Sequence, residues 1–306
     1  MTLSKSKLDY DAGRISKPAN AIINFFFILA VLICIVPVIL VFMVSITDER
    51  TLAREGYSLF PSVINFSAYT YVFRSSTAII NSYITSVIVT FWGTIFSTAI
   101  MALYAYPISR SSFKHRYKFT WFVLLTMLFS GGIVPWYVMY AQVLGITDTI
   151  PVLIIPYLMN AWFVLVLRTF YKSSVPDELL EAARIDGAGE IRAYFFIALP
   201  LSMAGIATIA LLMMMMFWND WWLPLVFLTG RGNIDTIQNL LRQILESIQF
   251  IARNADMLGG RVSLADIPSE TMRMAIAVVA VGPVIIAYPF FQRFFVKGLL
   301  IGAVKG

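Results

Sequence analysis

Six apolar stretches, each about as long as a bilayer is thick, govern what this chain can fold into. They are roughly Ala21–Ile46, Ile79–Pro107, Phe119–Pro135, Pro151–Tyr171, Pro200–Phe227 and Met274–Phe295. A helix needs about 20 apolar residues to cross the hydrocarbon layer. The runs show no sustained alternation of apolar and polar residues, so they do not read as barrel strands. Of the 306 residues 59% are hydrophobic and 13% are charged, and soluble domains carry about a quarter charged residues. So few charges cannot cover a water-soluble surface of this size, and high hydrophobicity excludes a disordered chain. The expectation is an all-α polytopic membrane protein with six transmembrane helices. Pro37 and Pro283 each remove a helical donor, and kinks are expected there.

Charge placement orients the spans. An even number puts both termini on one side, and fifteen of the 23 basic residues lie in or beside residues 1–20, 109–118, 172–199 and 296–306, including every lysine. The other side holds arginines alone, interspersed with acids. Positive residues stay inside, so both termini are expected to be cytoplasmic. The net charge of +6 is thereby assigned to topology, and no nucleic acid is called for. The first apolar run is too long for a cleavable secretory signal and leads into Thr47-Asp48-Glu49-Arg50, so it reads as a permanent first span. Cys34 and His115 are the only residues of their kinds, which leaves no internal disulfide and no zinc-type cluster, and any Cys–His or Ser–His pair would have to use His115, which sits in a basic inner loop.

This topology divides the chain into a cytoplasmic segment 1–20, a membrane domain 21–295 and a cytoplasmic tail 296–306. Three polar excursions remain: outer loops 47–78 and 229–271, and an inner loop 172–199 that is long and regular for a connection between spans. In the inner loop Ser174 is the expected helix cap, Pro176 suits the first turn, and Asp177 and Glu178 complement the positive helix end. Leu179, Ala182, Ala183 and Asp186 share one face. Two alanines on that face allow another surface to approach closely. Glu181 and Arg184 are spaced as an i,i+3 pair, contributing a few tenths of a kcal/mol. Gly187 is placed to take the left-handed conformation that stops the helix, and Glu190–Leu199 then runs back to the membrane at Pro200. Periodicity alone describes an amphipathic surface helix.

The whole spacing says more. Glu181-Ala182-Ala183, three residues, Gly187, nine residues and Ile197-Ala198-Leu199-Pro200 resemble the EAA loop of bacterial ABC importer permeases at every fixed position. The Arg184-Ile185-Asp186-Gly187-Ala188 filling is similar to the carbohydrate branch. The ending Gly298-Leu299-Leu300-Ile301-Gly302-Ala303-Val304-Lys305-Gly306 resembles permeases of the maltose G-subunit class. Ser130-Gly131-Gly132-Ile133-Val134-Pro135 and Gln238–Leu245 are similar to its oligosaccharide and polysaccharide members. The resemblance implies an ABC type I importer permease fold in the bacterial cytoplasmic membrane. It implies that Glu181, Ala182, Ala183, Asp186 and Gly187 couple to an ATP-binding subunit, and that Gly298, Gly302, Lys305 and Gly306 in the tail reach toward the paired ATPases. The implied partners are a second non-identical permease, a dimer of ATP-binding subunits, an extracellular solute-binding protein, a carbohydrate substrate and membrane lipid.

No Gly-x4-Gly-Lys-Ser/Thr loop is present, so ATP and magnesium are expected on separate subunits and no cofactor or catalytic residue on this chain. Met213–Trp222 places four methionines beside Trp218, Asn219, Asp220, Trp221 and Trp222. Tryptophans belt membrane interfaces and methionines fill gaps between helices; Asn219 is kept as a candidate for the substrate path. In the outer loop Ile237, Leu240, Leu241, Ile244, Leu245 and Ile248 mark an amphipathic helix, with Arg242 and Glu246 on other faces. Family analogy points this loop at the external binding protein. Two other readings stay open here. A permease for a non-sugar solute would share the inner loop, and a channel or intramembrane enzyme would need ionisable residues at mid-span, where these runs offer mainly Ser, Thr and Asn.

Overall fold

The computed structural model describes residues 17–74, 76–230, 234–253, 270–282, 285 and 289. They are overwhelmingly helical; their one β feature is an isolated bridge between Thr47 and Ile64. The chain forms two compact units, divided at Val72/Phe73, Gly259/Gly260 and Val278/Val279.

The first unit begins with α1 (Lys17–Ser45), which contains Pro37. Along most of α1 the apolar side chains are exposed in this chain, Phe25, Phe26, Phe27, Leu32 and Ile33 among them. A helix apolar on all sides belongs in a hydrocarbon environment, and α1 has the length and composition to cross one. Ser45 closes it, donating to the Phe42 carbonyl at 2.6 Å and pairing with the Tyr69 hydroxyl at 2.8 Å.

The stretch after α1 is folded rather than loose. Asp48 caps α2 (Glu49–Glu55) by accepting from the Thr51 N–H, and it also accepts from Asn65 Nδ2 at 3.0 Å. Helix α3 (Ser67–Arg74) follows. Glu49, in the first turn of α2, also caps the last described helix, residues 270–282. Its carboxylate accepts from the Glu270 N–H at 3.1 Å, the Thr271 N–H at 3.0 Å and Thr271 Oγ1 at 2.6 Å. A carboxylate at a helix N-terminus satisfies orphan donors and opposes the positive dipole end. No local pattern announces this cap, because its two halves are 222 residues apart.

The second unit is organised around α4 (Ser76–Ser109). Around it run α5 (Arg116–Leu128), α6 (Ile133–Val138), α7 (Ala161–Ser174), α8 (Asp177–Ile185), α9 (Glu190–Ala193), α10 (Leu199–Leu201), α11 (Met203–Trp218), α12 (Trp222–Phe227) and α13 (Ile237–Arg253). Helices α7 and α11 pack on α4. The face of α4 that meets neighbours carries buried Ser82, Ser86, Thr90, Ser97 and Thr98 besides Met101, Ala105 and Ile108. Small residues at such faces let helix backbones close up where lipid supplies no hydrophobic drive between helices. Two glycines take this to its limit. A Cβ on Gly93 would stand 2.7 Å from the Phe217 ring of α11, and one on Gly205 would stand 2.5 Å from the Phe170 ring of α7.

Three predicted spans are broken rather than straight. The segment over Phe119–Pro135 ends as a helix at Leu128, and α5 and the helical stretch Ile133–Val143 meet at 111°. Gly132, at φ +81°, turns the chain there, and Pro135 fits the first turn of α6 because no donor is required of it. The fourth span enters through 3₁₀ turns at Ile150–Leu153 and Ile155–Tyr157, then bends by 55° into α7. Asn160 caps α7, its side chain accepting from the Phe163 N–H. The fifth bends by 78° between Leu201 and Met203, ends as α11 at Trp218, and resumes as α12. Half of Met274–Phe295, with the Pro283 position, lies outside the described residues, as does the whole tail with Gly298, Gly302, Lys305 and Gly306.

Candidate coupling site

Residues 172–199 form a helical elbow. Helix α7 runs on through Ser174, so Ser174 is not the cap expected of it; the N-cap of α8 is Pro176, with no side-chain bond. What anchors the start of α8 is Arg110, just past the end of α4. This arginine is 4% exposed. Its guanidinium donates to the Val175 carbonyl at 2.8 Å, to the Tyr171 carbonyl and to Asp177 Oδ1 at 3.1 Å. Its Nε bonds Ser109, and it lies 5.7 Å from the Tyr106 ring centroid. Ser111 donates to the other carboxylate oxygen of Asp177 at 2.7 Å. One cation thus satisfies the open carbonyl end of α7 and pairs with the acidic first turn of α8; the guanidinium suits the negative end of α7, and Asp177 suits the positive end of α8. In sequence Arg110 counts only as one more inside charge; its role needed the fold to bring residue 110 against residues 171–177.

The far end of α8 is as expected. Gly187 has φ +83°. Its N–H donates to the Arg184 carbonyl at 3.0 Å, and the Ala188 N–H donates to the Ala183 carbonyl at 2.8 Å. This double closure is the Schellman arrangement that a left-handed glycine permits. The Glu181–Arg184 pair is not formed. Arg184 instead reaches past the turn to Glu190, 2.7 Å away, because the reversal at Gly187 brings the start of α9 alongside. Arg184 also donates to Ser112 at 3.4 Å. The return segment continues from α9 through a π turn at Tyr194–Ala198 into Pro200.

Only Leu180 of α8 is buried. Leu179, Glu181, Ala182, Asp186 and Gly187 are exposed and Ala183 is half-buried. The expected face therefore lies open, with Ile185 at 86% exposure and Ile191 at 76%. The elbow is held from one side by Arg110, Ser111 and Ser112 and presents small and apolar residues on the other.

The family described as "Binding-protein-dependent transport system inner membrane component" matches residues 90–301. The chain belongs to this family. As a member it is an inner-membrane transport-system component, and its apolar helices accord with that. It is 36% identical over 281 residues, 92% of this chain and 96% of the relative, to the polygalacturonan/rhamnogalacturonan transport system permease protein YtcP of Bacillus subtilis. It is 29% identical over 287 residues, 91% of this chain and 94% of the relative, to the trehalose/maltose transport system permease protein MalG of Thermococcus litoralis. Among solved structures, a chain of a bacterial ABC transporter involved in the import of the acidic polysaccharide alginate superposes with TM-score 0.74 at 26% identity, covering 92% of this chain and 99% of that one.

Asn219 is the C-cap of α11 and is exposed. Its amide nitrogen donates to the Met215 carbonyl at 2.9 Å, so the side chain folds back over its own helix end. Helix α13 forms as its periodicity predicts; Ile237 and Leu241 are buried, and Arg242 pairs with Glu246 at 2.5 Å.

Proposed function

We propose that this chain is the permease subunit of a bacterial ABC importer that takes up carbohydrate, with six spans and both termini in the cytoplasm. Its relatives carry sugars and sugar polymers by name, and the chain resembles them over nine-tenths of its length. Helix α8 is the coupling helix, with Glu181, Ala182, Ala183, Asp186 and Gly187 against the ATP-binding subunit. The observation that carries this reading is the open face of α8 on an elbow rigidly pinned by Arg110. A surface that must pass on a neighbour's movement has to be exposed on one side and firmly joined to the spans on the other.

The C-terminal residues Gly298, Gly302, Lys305 and Gly306 reach the same ATPase dimer, whose subunits hold ATP and magnesium. A second, non-identical permease completes the path, and the outer loops 47–78 and 229–271 meet a solute-binding protein outside. Closure of the ATPases pushes α8; through Arg110 the push reaches α7 and α4 together, and the spans rock between outward and inward openings.

A cysteine cross-link tests the coupling assignment. With Cys34 replaced by Ser, Ala182→Cys in the assembled importer is expected to cross-link to the ATP-binding subunit. A link to the external binding protein, or none to the ATPase, overturns it. A glycan panel offered to the cognate binding protein tests the carbohydrate reading.

A further inference from the structure

The break between α5 and α6 and the start of α12 meet at a cleft. It has a volume of about 580 Å³ and is lined by Ser130, Gly131, Trp136, Met139, Tyr140 and Trp222 among others. Helix α5 starts at Arg116 and is 13 residues long, which at 1.5 Å per residue is about 20 Å. On the proposed topology its far end therefore stops inside a hydrocarbon layer of about 30 Å, in the outer half. Phe129–Gly132 are non-helical and exposed there. Non-helical backbone at membrane depth is tolerated only where protein buries it or a water-filled cavity bathes it.

The rings around the cleft are fixed before any ligand arrives. Phe227 is fully buried, and Trp136 and Tyr140 pack on it with centroids 4.9 and 5.8 Å away. Trp222 stands at the head of α12, its backbone N–H donating to Asp220 Oδ1 at 3.1 Å, and its side chain stays partly exposed. The indole N–H groups of Trp136 and Trp222 and the Tyr140 hydroxyl find no hydrogen-bond partner among the described residues. No charged side chain is among the residues lining the cleft. Beside Gly131 the space is open, a Cβ there meeting only Pro135 at 3.9 Å.

We infer that this cleft is a sugar subsite on the translocation path, in which aromatic faces stack on the C–H face of a pyranose ring and the unpaired donors bond its hydroxyls. The inference rests on the carbohydrate reading above and adds this chain's own contribution to substrate contact. With no charge in its lining, the subsite holds the ring and its hydroxyls and is indifferent to a carboxylate on the sugar. The volume suits one or two rings, within the usual range of small-ligand sites.

The test uses the complete importer in proteoliposomes, with its binding protein loaded from a mixed hydrolysate of pectin, starch and arabinan. Accumulated neutral sugar and uronic acid are both measured. Trp222→Ala and Gly131→Phe are expected to lower the uptake rate at least tenfold, while Trp222→Phe, which keeps a stacking face, stays within about threefold of wild type. All three should co-purify with the second permease and the ATPases in wild-type ratio. If the wild-type importer accumulates no carbohydrate, the carbohydrate reading fails and the subsite with it. If wild type accumulates sugar and both disruptive variants match it, the subsite alone is wrong. Loss of the second permease from the Gly131→Phe complex also overturns it, since the cleft is then a subunit contact.

Discussion

Arg110 Nη1 lies 3.1 Å from Asp177 Oδ1, across 67 residues of sequence. That pair ties the residue just past the end of α4 to the first residue of α8. Asp177 is half exposed, so the ion pair alone contributes little; the weight falls on the two backbone carbonyls that the same buried guanidinium satisfies.

Arg110→Ala should therefore cost more than Asp177→Asn. Removing the guanidinium strands the Val175 carbonyl, at about 1–3 kcal/mol for a buried group left unpaired, and leaves the Tyr171 carbonyl with the Val175 N–H alone. Asp177→Asn keeps an acceptor and should cost under about 1 kcal/mol. Thermal unfolding of the purified complex gives the ranking. Uptake per ATP hydrolysed should fall in Arg110→Ala more than in Asp177→Asn. Equal melting shifts for the two variants would contradict the anchor role.

Gly187→Ala should loosen the elbow by about 1 kcal/mol, since φ +83° is unfavourable to a residue with a Cβ. Gly187→Pro is far more damaging: it fixes φ near −65° and deletes the N–H that closes on Arg184. With Glu181→Lys it is expected to leave insertion intact and to separate ATP hydrolysis from uptake. Wild-type sugar uptake in either variant would refute the coupling assignment.

Gly205→Ala should destabilise by about 1–3 kcal/mol through overpacking, because the new methyl meets the Phe170 ring at 2.5 Å. Phe170→Leu in the same chain should recover part of the loss. A melting temperature unchanged by Gly205→Ala would show that α7 and α11 are not packed that closely.

The first unit should loosen in acid. Asp48 is held below the ordinary carboxylate range, first by the Asn65 side chain and then by the Thr51 N–H. A depressed carboxylate contributes stability that is fully present above its unfolded value of 3.8 and is lost as pH falls through the folded value. Hydrogen-exchange protection factors across residues 48–55 should therefore fall below about pH 4, and Asp48→Asn should flatten that dependence. An acid response identical in the two proteins would remove Asp48 as its source.

Hydropathy, charge asymmetry and the fixed spacing of residues 181–200 settled from sequence alone that this is a helical membrane protein with a helix–glycine–helix elbow between two spans. Those signals are local or summed over a window, so neighbours in sequence carry them. Gly187 was legible because a left-handed helix stop is decided within six residues. Tertiary structure decided the rest: that Glu49 caps a helix beginning at residue 270, that Arg184 turns to Glu190 instead of Glu181, that three apolar runs are broken, and that Arg110 is an anchor rather than a surface charge. Each depends on groups brought together over tens or hundreds of residues, and a buried guanidinium or carboxylate takes whichever orphan donors and acceptors the packed helices leave within reach.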